Sequence, residues 1–367
     1  MRLRPALVLL LALGLGTAAL SAAPKRKVII DQDAFGPGGP NLQPILMVLQ
    51  APDVEVLGIT TVSGDGWQKE NTAHTLRLLE LVGRTEVPVI AGATNPLINS
   101  QEETKRWEKL YGNLPYKGAW TEVWPAASTI NRTRYHAADI VPPLVEGDPT
   151  MSPLPETAAA FLVRKIREFP GDVTILALGP FTNLALAAQL DAGFAAGAKE
   201  LVFMGGSFNP GSQQTDEFSL QFIHNPRVEF NTRWDPEASR AMLHAGWRKI
   251  TAVPLDASAN TKLTPELAKR ASAGNSLVAK YLARFPGDAF PLWDETAAAV
   301  FLDPTIAKST TRLAMDTAID HGAAYGATLS WPVGGGPGLG EPEVLVVRSV
   351  DVPRLEALFV ELMQRRR

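Results

Sequence analysis

Apolar residues in this chain fall into short unbroken runs, and stretches with helical spacing separate them. Val28-Ile29-Ile30, residues 54–62, Val87-Pro88-Val89-Ile90, residues 173–178, residues 201–206 (ending in Gly205-Gly206) and residues 250–255 are such runs. Their length and β-branched content suit strands covered on both faces. Between them, residues 72–82 place Leu76, Leu78, Leu79, Leu81 and Val82 at helical spacing. Residues 155–169, 183–190 and 236–245 read as further helices, and the chain closes with a strand over 344–347 and an amphipathic helix over 353–363. Successive βα units predict an α/β fold with a mostly parallel central sheet and right-handed crossovers. Residues 97–153 break this rhythm. They are rich in Trp, Tyr, Pro and charge without a long period, which predicts an irregular loop region across the sheet's carboxyl edge.

The first residues form a separate module. Met1-Arg2-Leu3-Arg4 is basic, residues 6–20 are uninterrupted Leu- and Ala-rich sequence, and Ser21-Ala22-Ala23 supplies small residues. This is the pattern of a secretory signal peptide over residues 1–23. It predicts a mature domain over 24–367 that is secreted or periplasmic and free of the membrane after cleavage. No later segment approaches the length of a membrane span. A formal charge of −3 supplies no basic face, which argues against a nucleic-acid partner. The chain has no cysteine, so an oxidising compartment adds no disulfide and no thioether-linked lipid.

Candidate chemistry gathers at the ends of the apolar runs. The first run ends in Asp31-Gln32-Asp33 and breaks into Gly36-Pro37-Gly38-Gly39-Pro40-Asn41. Two carboxylates at a strand end lie where open α/β sheets bind ligands. One can bind a hard cation or activate water while the other braces the loop. The alternative is a strand end with solvated carboxylates. Ser63-Gly64-Asp65 ends the second run, and Glu229-Phe230-Asn231 puts an acid and an amide just ahead of a helix. Asp235 with Pro236 reads as a helix N-cap followed by proline at the first helical position. Trp293-Asp294-Glu295 precedes an alanine-rich helix, and Asp294 can be read either as its N-cap or as a functional acid. Gly334-Gly335-Gly336-Pro337-Gly338 lacks the context of a phosphate loop and reads as a flexible hairpin connection. Asn131-Arg132-Thr133 fits a glycosylation acceptor.

The DxD strand, Gly179-Pro180-Phe181-Thr182-Asn183, Met204-Gly205-Gly206, the Glu229-to-Ala238 stretch and the late Asp294 occur in a specific order. In these motifs the chain resembles the inosine–uridine preferring nucleoside hydrolase family, over most of its length. The resemblance implies a Rossmann-like α/β fold and hydrolysis of the N-glycosidic bond of ribonucleosides. It further implies a calcium ion at the sheet's carboxyl edge, a small-molecule nucleoside as partner and homo-oligomers. By the same resemblance Asp33 is a calcium ligand and the base for the attacking water. Asp294 is a second ligand, and a backbone carbonyl at Ala177 or Leu178 a third. Glu229 and Asn231 match residues that hold the ribose hydroxyls, Asp65 stands at another ribose-side position, and Asn225 matches an asparagine that reaches the 5′-hydroxyl. Trp293 takes the place where many members carry a histidine acid and purine-preferring members stack tryptophan on the base. Trp67, Trp107, Trp120 and Trp124 are candidates for a second stacking partner. His136 lies near a substrate-side histidine of the family but in a poorly matching context, and reads as a loop residue.

One departure bears on activity. The family motif DxDxGxDD ends in paired aspartates, and Pro40-Asn41 falls in their place. Asn41 offers calcium a neutral oxygen instead of a carboxylate, and ligand charge tunes calcium affinity strongly. Cleavage through an oxocarbenium-like state calls for negative charge near the sugar, which the retained acids supply. These features predict an exported, calcium-dependent, purine-leaning nucleoside hydrolase. The rival is an exported nucleoside- or sugar-binding protein whose catalytic site has decayed. A DxD phosphatase of the haloacid dehalogenase type needs a Gly-Asp-x-x-Asp pair that is absent after residue 170.

Overall fold

A computed structural model describes residues 24–114, 116–123, 135–208, 227–287 and 289–366. The leader expected at 1–23, the expected acceptor at 131–133, Trp124 and Asn225 lie outside these residues. One sheet gathers β1 (Arg26–Gln32), β2 (Val54–Thr61), β3 (Val89–Ala91), β4 (Val173–Ala177), β5 (Glu200–Met204), β6 (Ile250–Val253), β7 (Ala307–Thr317), β8 (Thr328–Pro332) and β9 (Glu343–Val350). Their order is β3-β2-β1-β4-β5-β6-β9-β7-β8. From β3 to β9 every neighbouring pair is parallel, while β7 runs antiparallel to both β9 and β8. The α/β architecture with a mostly parallel sheet is therefore present. From β1 the chain winds outward through β2 and β3, then returns to β4 on the other side. The β1/β4 junction is thus a topological switch point, where the loops diverge and leave a crevice.

Alternation along β1 sends Val28 and Ile30 to one face and Ile29 to the other, and each face carries its own core. Val28 and Ile30 join Leu46, Leu49, Ala298 and Phe359 from the helices Gln43–Gln50, Trp293–Leu302 and Val352–Gln364. Ile29 joins Phe161, Phe181 and Leu184 from the opposite layer, where the helices Ala158–Glu168 and Thr182–Leu190 lie. No helix among the described residues is long and apolar enough to cross a membrane.

Two expectations need correction. Within 97–153, Gln101–Tyr111 is a helix, opened by Ser100, whose hydroxyl accepts the Glu103 N–H at 3.1 Å. Only Thr104 and Trp107 of that helix are buried, so no apolar stripe marked it. The glycines at 334–338 do not close a hairpin, because the strands they join, β8 and β9, both pair with β7 and not with each other. The hairpin partner of β8 is β7, which precedes it. Both strands escaped the apolar pattern, since β7 is largely exposed through its first half.

Gly58 in β2 shows how tightly the second layer is packed: a Cβ there would lie 2.5 Å from Cζ of the fully buried Phe161. Phe161→Ala should therefore cost about 3–5 kcal/mol, and Gly58→Ala about 1–3 kcal/mol from overpacking. The two changes should be strongly non-additive, with Gly58→Ala nearly harmless once the ring is gone. Urea denaturation of the wild type and the three variants measures this, and simple additivity would show that the ring does not press on the strand.

Candidate active site

β1 delivers Asp31, Gln32 and Asp33 to the switch point, and all three are buried. The reading of solvated carboxylates at a strand end is thereby overturned. Asp31 faces the Ile29 layer, where Oδ2 accepts from Thr60 Oγ1 at 2.5 Å and from Asn183 Nδ2 at 2.8 Å. Asn183 lies in the first turn of the helix Thr182–Leu190 that follows β4, and it also donates to the Thr61 carbonyl at 3.1 Å and accepts the Ala93 N–H at 2.8 Å. Asp31 thus ties β1, β2 and the start of the helix after β4 together. Burial pushes its pKa up to about 7, against the two hydrogen bonds.

Asp33 sits in a cradle that only glycine permits. A Cβ on Gly64 would lie 2.1 Å from its Oδ2, and one on Gly179 would lie 2.6 Å from its backbone nitrogen. Its Oδ2 accepts the Asp65 N–H at 2.8 Å, and its Oδ1 accepts from Asn41 Nδ2 at 3.2 Å. The same Asn41 nitrogen lies 3.1 Å from the Asp33 carbonyl and 3.1 Å from Asp65 Oδ2. Three acceptors thus compete for two amide hydrogens. The other oxygen of Asp65 accepts from the Tyr116 hydroxyl at 2.6 Å. Gln32 joins the remaining acid to this group. Its Nε2 donates to Asp294 Oδ2 at 2.8 Å and to the Asn41 carbonyl at 3.0 Å, while its Oε1 accepts the Asp33 N–H at 3.0 Å. Sequence reasoning missed Gln32 and Tyr116. One is the unspecified letter of DxD, and the other is a tyrosine in a segment with no period.

Leu292 holds the N-cap position of the helix Trp293–Leu302, and Asp294 lies in its first turn facing Gln32. Asp294 is therefore not the N-cap. Asp235 is one: its Oδ1 accepts the Ala238 N–H at 3.1 Å, ahead of Pro236. Glu229 is another, accepting the N–H groups of Asn231, Thr232 and Gly206 at 2.8, 3.0 and 3.1 Å. Asn231 Nδ2 donates to the carbonyls of Leu178 at 2.8 Å and Met204 at 3.2 Å, lacing the ends of β4 and β5. Ala177 is still inside the ladder, registered against Asp31 and Phe203, whereas Leu178 is the first residue beyond it.

Trp293 is half-buried next to Asp294, with its ring 6.0 Å from that of Phe290. Trp67, Trp107 and Trp120, also considered for stacking, are engaged within the protein. Trp120 stacks on Trp234 at 3.9 Å, and Trp67 meets Trp234 edge-on at 6.4 Å. Trp107 donates to the Gly322 carbonyl at 2.9 Å beneath the Arg233 guanidinium. His136 is a loop residue, fixed by Glu70 at 3.2 Å.

The electrostatics of this crevice are one-sided. Asp33, Glu229, Asp294 and Glu295 are buried and Asp65 is half-buried, and the ion pairs among the described residues, such as Arg77–Glu80 and Lys117–Glu108, do not reach them. Burial, followed by the charges of Asp65 and Asp294, holds the Asp33 carboxyl well above the usual range. Burial, with the charges of Asp65 and Glu229, does the same to Asp294. Burial raises Asp65 against the donors Tyr116 and Asn41, and pushes Glu229 up to about 7 against its three N–H partners. Uncompensated buried carboxylates suit a hard, oxygen-seeking cation in chemistry. In this conformation, among the described residues, no three His, Asp or Glu side chains converge as a ligand set.

The profile of the family described as inosine-uridine preferring nucleoside hydrolase matches residues 28–357. Uridine nucleosidase 1 of Arabidopsis thaliana is 34% identical over 240 residues, 65% of this chain and 59% of that protein. The match thus spans less than two thirds of that relative's length. The inosine-uridine preferring nucleoside hydrolase of Leishmania major is 26% identical over 317 residues, 83% of this chain and 87% of that one. Among solved structures, a plant nucleoside hydrolase aligns with a TM-score of 0.69 at 26% identity, covering 94% of this chain and all of its own. A purine-preferring ribonucleoside hydrolase from Gardnerella vaginalis shares the fold, with a TM-score of 0.68 at 21% identity over 92% of this chain and 98% of that one.

The raised carboxyls have a consequence for stability. Glu229 and Asp31 hold protons to about pH 7 in the folded chain, against ordinary values of 4.5 and 3.8. Folding therefore takes up protons in that window, and their contribution to stability falls as pH rises from about 4 to about 7. Glu229→Gln keeps one acceptor oxygen and loses the other, a cost independent of pH, and should gain on the wild type across that window by on the order of 3 kcal/mol. Denaturation midpoints of metal-free protein against pH measure this, and parallel curves for the two proteins would contradict it.

Proposed function

We propose that this chain, which belongs to the inosine-uridine preferring nucleoside hydrolase family, hydrolyses the N-glycosidic bond of ribonucleosides with a lean toward purines. The observation that carries this reading is the set of buried, uncompensated carboxylates at the sheet's switch point. The names of the relatives, nucleosidases and nucleoside hydrolases, support hydrolysis over mere binding.

Asp33, Asp294, the amide oxygen of Asn41 and a carbonyl at the end of β4, Ala177 or Leu178, would hold a calcium ion. Asn41 must turn its amide over for this, because its nitrogen now faces the acids. Calcium bound there would grip vicinal sugar hydroxyls and lower the pKa of a water. Asp33 takes the proton from the water that adds to the anomeric carbon. The C–N bond breaks with its electron pair leaving on the base, and carboxylates beside the sugar stabilise the positive charge that develops. Asp65, Glu229 and Asn231, with Asn225, hold the ribose. Trp293 offers its ring to the departing base, and a stacked purine accepts a proton more readily. The leader at 1–23 assigns this activity to the periplasm or the exterior.

Base release from inosine, adenosine, guanosine and uridine, with calcium and then with chelator, tests the reading. Calcium-dependent release favouring the purine nucleosides is expected, and Asp33→Asn should lower kcat by about 10²–10⁴-fold. Asn41→Asp restores a charged ligand, so half-maximal activity should need about tenfold less calcium. Release that ignores the chelator, or no release from any nucleoside, would overturn the proposal.

A further inference from the structure

The stretch around Tyr116 is built onto the acidic crevice and is not a loose covering. Gly118 has φ +51°, and a Cβ there would lie 2.2 Å from the Gly64 carbonyl oxygen and 2.6 Å from Cζ of Phe230. The Ala119 N–H donates to that same Gly64 carbonyl at 2.9 Å. Lys117 adds an N–H bond to Thr121 Oγ1 at 3.2 Å and an ion pair with Glu108 at 3.0 Å. The Tyr116 ring packs 5.0 Å from Phe230, the residue after Glu229. The position of the phenol is therefore fixed from several sides. From there its hydroxyl donates to Asp65 Oδ1 at 2.6 Å, while Asn41 donates to Oδ2 at 3.1 Å. Asn41 gives up its bond to Asp65 when its amide turns toward calcium, so in the loaded site the Tyr116 hydroxyl is the side-chain donor, among the described residues, that still fixes the Asp65 carboxylate.

We propose that Tyr116 is a positioning residue that sets the plane of the Asp65 carboxylate, and that selectivity for ribose over deoxyribose depends on it. The inference rests on Asp65 being a sugar-side group, as proposed above. A site shaped to meet a hydroxyl discriminates strongly against the analogue lacking it, but only while its acceptor points the right way. Tyr116→Phe removes one oxygen and keeps the ring against Phe230, so the fold is preserved.

The test compares kcat/KM for inosine, 2′-deoxyinosine and 3′-deoxyinosine in wild type, Tyr116→Phe, Asp65→Asn and the double variant. Tyr116→Phe should lower kcat/KM for inosine about 10- to 100-fold and change at least one deoxy analogue little, so that their ratio collapses by that factor. In the Asp65→Asn background, Tyr116→Phe should alter the ratio no further. An equal loss on all three substrates would show a merely structural tyrosine and overturn the inference. So would a ratio that Tyr116→Phe leaves unchanged. A wild type that neither cleaves nor binds inosine would instead remove the nucleoside hydrolase reading, and this inference with it.

Discussion

The structure depends on one costly feature: Asp33, Glu229 and Asp294 are buried together at a sheet edge beside half-buried Asp65, with no positive side chain paired to them among the described residues. Ionised groups in such a place must be paired, hydrogen-bonded or protonated. The chain uses the last two. Backbone N–H groups serve Glu229 and Asp33, amides serve Asp31, Asp65 and Asp294, and a phenol serves Asp65. What remains is a surplus of negative charge, expressed as raised proton affinity. A cation would relieve it.

That surplus is held in place by the same atoms that hold the sheet. Asp31 joins β1, β2 and the start of the helix after β4 through Thr60 and Asn183, while Asn231 laces β4 to β5. Glu229 caps the helix that carries Asn231, and its carboxylate also accepts from Gly206 past the end of β5. The motif residues are thus ties across the carboxyl edge as well as candidates for substrate contact. Changing one of them disturbs both. Gly64 and Gly179 make the converse point, since they carry no functional atom yet their missing Cβ atoms are what let Asp33 occupy its position.

Much of this was legible in the sequence. Strands buried on both faces write their burial as unbroken apolar runs, so β1, β2, β4, β5 and β6 stood out, and the acids at their ends followed from the fold class. β7 and β8 were hidden because β7 is exposed over half its length, and the helix Gln101–Tyr111 because it buries two residues. Asp294 could be read as a cap because an acid at a helix start is favourable whichever position it takes; only the Gln32 contact separates the two uses. Gln32 and Tyr116 were not legible at all. Their importance comes from partners hundreds or tens of residues away, and no local pattern records that.

Binding of calcium to metal-free protein, followed by titration calorimetry in buffers of different ionisation heat, tests the central claim most directly. If the carboxyls around Asp33 carry protons because no cation balances them, one calcium should bind per chain and displace protons. The apparent heat should then differ between buffers near pH 6, and the difference should shrink as pH rises. Absence of binding at millimolar calcium, or binding whose heat is the same in every buffer near pH 6, would contradict it.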